Sequence, residues 1–190
     1  MILEIQRLVL CKAPISQIFR EIIKGVQKLL KNDLAGIYLV DPKKKLLSAE
    51  VLSKRTAFAR SVVRPTIPIG VGLLGITAAT GKIMIVNKAQ MDPRSLYPGG
   101  IRPRLEHVIV VPLQVANTIL GVLAVARGSN PEFIEEDALI IKSFADATTV
   151  AIENARLVAE TRKDIRRDGK GKASPKFDDL NVFASLEKIA

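Results

Sequence analysis

From about Ile134 to Lys163 the chain keeps a helical period without a break. Along it Ile140, Phe144, Ala147, Ala151 and Val158 form one apolar stripe. Ile141, Thr148, Ile152, Ala155 and Ala159 form a second. A helix apolar on two faces needs two partners, the sheet of its own domain and a further body. The simplest further body is a second copy of the same helix, so the pattern predicts a homodimer with the second stripe at its interface.

What precedes this helix supplies the sheet. Two strong β-prone runs, Val108 to Val115 and Ile119 to Arg127, flank a turn at Ala116-Asn117. Further upstream, Ile18, Phe19, Ile22, Ile23, Val26, Leu29 and Leu30 fall on one face of a helix over Ile15 to Lys31, which Asn32-Asp33 ends. Residues 35–41 and 46–53 read as a hairpin around Asp41-Pro42 and three lysines. Residues 61–69 form only an edge or interrupted strand, because Pro65 and Pro68 cannot donate to a ladder. A short helix over Leu73 to Thr80 closes at Gly81, and residues 83–86 make a brief strand. Residues 87–107 then form a long polar loop, a length that in a compact domain marks function or mobility. The resulting scheme is a lead helix over residues 1–13, one domain over 14–163, a basic linker over 164–177 and a short amphipathic helix over 178–190.

Composition narrows the class. Hydrophobic residues are 48% and aromatics 4%, with no Trp, so the core is aliphatic and the chain lies outside the disordered class. The net charge of +10 is uneven: residues 162–176 hold seven basic and two acidic side chains, half of the excess. That tail lacks aromatic stacking residues and any basic recognition helix, which argues against nucleic acid as the partner. A single cysteine, Cys11, excludes an intramolecular disulfide framework and a Cys-rich metal site. No apolar stretch reaches the length of a membrane span, and the N-terminus has no cleavage pattern, so a cytoplasmic chain is expected.

Three segments carry a family resemblance. Residues 69–81 (IGVGLLGITAATG), 109–125 (IVVPLQVANTILGVLAV) and 133–157 (FIEEDALIIKSFADATTVAIENARL) resemble, in the right order, parts of the GAF domain. The resemblance covers residues 14–160. It implies an α+β, GAF/PAS-like fold: a six-stranded antiparallel sheet with N- and C-terminal helices on one face and a ligand pocket and loop on the other. It also implies a non-catalytic sensory module that passes a small-molecule signal through a dimer helix to an output partner or domain. A ligand-free dimerisation or scaffold domain is the alternative. Members that bind cyclic nucleotides carry Asn-Lys, then Phe, then Asp-Glu; Asn87-Lys88, Phe133 and Asp137 match, while Ala138 replaces the final Glu. The match implies a Lys88–Asp137 ion pair tying the loop to the long helix.

The remaining chemistry is sparse. Gly70, Gly72 and Gly75 spell GxGxxG, but the preceding strand holds prolines and no acidic residue stands near position 95, so the glycines read as a tight turn and not a dinucleotide site. His107, the sole histidine, has no companions at zinc-ligand spacing. It is a candidate ligand contact, with haem ligation or a structural place as alternatives. Bilin attachment needs a Cys-His pair and the methionine-sulfoxide reductase branch needs several cysteines, and both are lacking. One histidine leaves little material for a nucleophile–base pair, and no cofactor is identified. Arg94, Tyr97, Arg102 and Arg104 surround Gly99-Gly100 in the loop. Arginine forks suit carboxylate or phosphate, so the expected ligand is anionic; the alternative is a solvated loop with ordinary surface arginines. Thr77 and Asn87 complete the candidate ligand-binding set.

Overall fold

The computed structural model describes residues 13–54, 66–97, 102–129 and 131–168. The expected lead helix up to residue 12, Cys11, residues 61–65 of the interrupted strand, Gly99-Gly100, and the expected linker and helix from residue 169 onward lie outside the described residues.

Helix α1 (Ile15–Leu29) begins immediately after Pro14, whose fixed φ suits a helix entrance and whose missing N–H costs nothing there. Its stripe Ile15, Ile18, Phe19, Ile22, Ile23 and Val26 is buried. Leu29, expected on that stripe, is 53% exposed; the chain turns extended at Leu30, which takes the buried place instead. Strands β1 (Leu34–Asp41) and β2 (Leu46–Lys54) form the expected hairpin. The Asp41 carboxylate accepts from the Lys43 and Lys44 N–H groups and so closes its turn. Strand β3 (Thr66–Pro68) is short and pairs only with the start of β2, as its proline dictates. Helix α2 (Gly72–Thr80) ends at Gly81, whose φ of 67° is left-handed. Strand β4 (Met84–Val86), a 3-10 turn (Ala89–Met91), β5 (His107–Val115), β6 (Thr118–Arg127) and α3 (Glu135–Asp168) follow.

The six strands form one antiparallel sheet in the order β3-β2-β1-β6-β5-β4. Both faces are covered, which is why β5 and β6 read as near-continuous apolar runs and not as alternating ones. One face carries α1 and α3 over Ile37, Ile109, Val111, Leu123 and Val125. The other carries α2 over smaller side chains, among them Val108, Val110, Val122, Ala124 and Ala126. In β6 the pairing slips between Leu113 and Gln114, so Leu120 is the extra residue. The slip reverses the alternation and turns Leu120 onto the α1–α3 face.

Two expectations for the long helix are corrected. Its helical backbone continues past Lys163 to Asp168, so the first five residues assigned to the linker are helical. The stripe assigned to a dimer partner is also largely occupied within the domain: Ile141, Thr148 and Ile152 are at most 1% exposed, Ala155 is half-buried, and the side chain of Ala159 is not described. Within the domain α3 packs on both α1 and β5, and residues of both stripes join one buried cluster. Two buried threonines are tolerated there because Thr148 and Thr149 donate to the carbonyls of Phe144 and Ala145. Among the described side chains of α3 the exposed large apolar ones are Leu139, Val150 and Leu157, each more than half exposed. Their spacing puts them on one face.

Candidate functional site

The glycines of the GxGxxG sequence act on packing. Gly70 and Gly72 have φ of 87° and 69°, and a Cβ on Gly75 would lie 2.3 Å from the Pro68 carbonyl oxygen. The motif lets α2 seat against the end of β3, as the tight-turn reading expected.

Around the start of α3 the chain builds a polar node from four elements. Asn87, one residue past β4, is held from both ends: its Nδ2 donates to the Phe133 carbonyl at 2.9 Å and its Oδ1 accepts from the Phe133 N–H at 3.0 Å. The first residue of β5, His107, is fully buried, with Nδ1 at 3.1 Å from the same Oδ1. Phe133 fixes that oxygen as an acceptor, so the network assigns the proton to Nδ1. The Lys88 N–H also faces Nδ1, at 3.4 Å, but a protonated nitrogen does not accept; the shorter contact decides. The other ring nitrogen, Nε2, is buried with no partner among the described residues. Burial pushes the imidazole pKa below its ordinary value; Glu132 acts against this, and Arg127 and Lys88 act with it.

Arg127, the last residue of β6, pairs with His107 in the β5–β6 register. It is 5% exposed, donates to the Glu132 carbonyl at 2.9 Å, lies 3.4 Å from Asp137 Oδ2, and stacks 3.9 Å from the Phe133 ring centroid. Asp137 Oδ2 also accepts from the Ile134 N–H, capping the first turn of α3. The expected Lys88–Asp137 pair is thus replaced. Lys88 Nζ lies 3.8 Å from Glu132, an exposed contact of about 0–1 kcal/mol, while the buried Arg127 engages Asp137. Sequence reasoning missed Arg127, although a lone arginine ending a continuous apolar strand was the available signal.

The loop residues gather elsewhere. Ala89 N–H donates to the Glu106 carbonyl, and Glu106 N–H to the Gln90 side chain, closing the loop at its neck. Arg94 forks onto Asp92 and holds that carboxyl down at about 2. Arg102 donates to the Gln90 carbonyl and stands 5.6 Å over the Tyr97 ring. The Tyr97 hydroxyl donates to Glu106 at 2.7 Å, while burial pushes the Glu106 carboxyl up. Arg104 is exposed. Leu96 packs so closely over Gly72 that a Cβ there would meet it at 2.6 Å, which seats the loop on the start of α2.

The candidate ligand residues therefore fall into three places. Asn87 and His107 belong to the node, and Arg94, Tyr97, Arg102 and Arg104 lie along the loop. Thr77 lies on the buried face of α2 with its hydroxyl unpartnered among the described residues. Tyr38 shares the small-residue face, and burial pushes its hydroxyl up to about 12.

Comparison with known proteins places this architecture. The family model described as GAF domain matches residues 12–153. A cGMP-specific 3',5'-cyclic phosphodiesterase of Drosophila virilis is 24% identical over 87% of the chain. The chain spans between 14% and 20% of the length of the curated relatives it matches. The GAF domain of an Acinetobacter phosphoenolpyruvate-protein phosphotransferase superposes with a TM-score of 0.67 at 17% identity, covering 84% of this chain and 94% of that one. The free methionine-R-sulfoxide reductase of Neisseria meningitidis does so with 0.69 at 22% identity, covering 83% and 89%. Since the family model spans most of the sequence and the sheet order and helices agree with it, the chain belongs to the GAF domain family, a family of sensory and regulatory modules.

Proposed function

We propose that this chain is a cytoplasmic regulatory module in which the state of the loop 87–106 is passed to α3 and from there to a second copy and an output domain or partner. The observation that carries this reading is the two-way bond between the Asn87 amide and the Phe133 backbone. It joins the start of the loop to the residues that launch α3, so displacing one end disturbs the other. On α3 the surface for a second copy is the exposed row Leu139 and Val150, in place of the buried stripe. Replacing both by Glu is expected to give a folded monomer by light scattering. A wild-type protein that stays monomeric at high concentration contradicts the dimer.

A small anion is the proposed input, and Arg104 is the loop arginine best disposed to meet it, since Arg94 and Arg102 already hold protein oxygens. The match to phosphodiesterase chains makes cGMP the first probe in calorimetric titration, followed by other nucleotides and simple carboxylates. Binding that also slows amide exchange in residues 131–140 supports the sensor. The scaffold reading is favoured by one observation: on the α2 face of the sheet Tyr38, Leu47, Leu73, Val108, Val110 and Val122 are all buried in one hydrophobic cluster. If none of these anions binds while the dimer persists, the scaffold reading stands.

A further inference from the structure

His107 stands where both ends of the loop meet the start of α3, and its surroundings decide its proton. The Asn87 amide, locked by Phe133, commits Nδ1 to donating, so any added proton must go to Nε2. That atom is buried and partnerless among the described residues. The charges around the ring are mixed: Glu132, before α3, favours an added proton, while Arg127 from β6 and Lys88 from the turn after β4 oppose it together with burial. The carboxylates are already committed: Glu132 lies against Lys88, and Asp137 on α3 caps Ile134 and holds Arg127. Just before its strand the neighbouring Glu106 accepts from the Tyr97 hydroxyl.

We propose that His107 is a pH-sensitive latch: neutral, it locks the neck of the loop 87–106 to the start of α3; protonated, it leaves its site and frees both. The proton added at Nε2 creates a second buried cation opposite Arg127 with an N–H that finds no acceptor, a state relieved by swinging the ring to water. Leaving removes the Asn87 contact and the packing at the first residue of β5, next to the Ala89–Glu106 bond that closes the loop. Because the folded state disfavours this proton while the unfolded state takes it at about 6.5, the latch contributes fully above that pH and weakens as pH falls below it. The inference rests on the coupling between loop and helix proposed above and adds the input that breaks it.

The chain's single histidine makes the test direct. Imidazole nitrogen shifts of the full chain, followed from pH 8 to pH 5 beside the Phe133 amide, are expected to show the Nδ1–H tautomer at neutral pH. Its midpoint should lie below 6.5, and the Phe133 amide should move with the same midpoint. An Nε2–H tautomer, or a Phe133 amide that stays still while the ring titrates, overturns the latch. His107→Asn, which keeps a donor at the place of Nδ1 and cannot titrate, should abolish the acid-induced loss of exchange protection, measured against intrinsic rates, over residues 87–97, 102–106 and 131–137. An unchanged loss of protection in that variant overturns the latch. A loss confined to residues 87–97 and 102–106 in the wild type overturns the coupling to α3 while leaving the histidine titration, which separates failure of the proposed function from failure of the latch.

Discussion

The two faces of the sheet differ in what fills them. Under α1 and α3 lie large, fully buried side chains such as Phe19, Phe144, Ile22 and Leu123. On the α2 face lie mostly smaller side chains, Val108, Val110, Val122, Ala124 and Ala126, with Tyr38 and Leu47 beside them, and a helix of nine residues on whose first turn the loop rests through Leu96. Large interlocked side chains leave few alternative packings, whereas small ones under a short cover can be rearranged at low cost. The contrast teaches that the first face holds the domain together and the second, with the loop above it, is where a signal can enter. Asn87, His107, Arg127 and Phe133 sit at the end of the sheet where the two regimes meet.

The largest effect should follow from truncation on the first face. Phe144→Ala is expected to cost about 3–5 kcal/mol. Val122→Ala on the second face should cost about 2 kcal/mol, from two carbons at about 0.8 kcal/mol each. Denaturant melts of the two variants test the ranking, and equal costs would remove the distinction between the faces. Next comes Asn87→Ala, which strands the Phe133 N–H and carbonyl and should cost about 1–3 kcal/mol in the same melts. A cost near zero would mean that Phe133 is held by its ring alone. The smallest effect is expected in the loop. Arg94→Ala and Arg104→Ala should each change stability by no more than about 0.5 kcal/mol. Only Arg104→Ala should weaken a bound anion, by about tenfold or more. Equal losses of affinity would return Arg94 to the site.

Most of the fold was legible because periodicity reports burial. The amphipathic stripe of α1, the hairpin around Asp41, the left-handed stop at Gly81 and the paired runs of β5 and β6 each carry a local signal. The double stripe of α3 was legible as a demand for two partners, but periodicity does not say which. Within the domain α1 and β5 together met that demand, and Leu139 and Val150, spaced too sparsely to read as a stripe, were left outside. The node was half legible. Asn87, Phe133 and Asp137 stood out by motif, yet two carboxylates five residues apart, Glu132 and Asp137, were both within reach of two cations. Burial settled the exchange, because the more enclosed Arg127 took the enclosed Asp137, and burial of a single arginine has no sequence period.

Amide hydrogen exchange of Asn87→Ala against wild type tests the coupling most directly. The account predicts faster exchange both in residues 87–97 and in residues 131–140, with α1 and the β1–β2 hairpin unchanged. Faster exchange confined to residues 87–97, with the start of α3 as protected as in wild type, would contradict it.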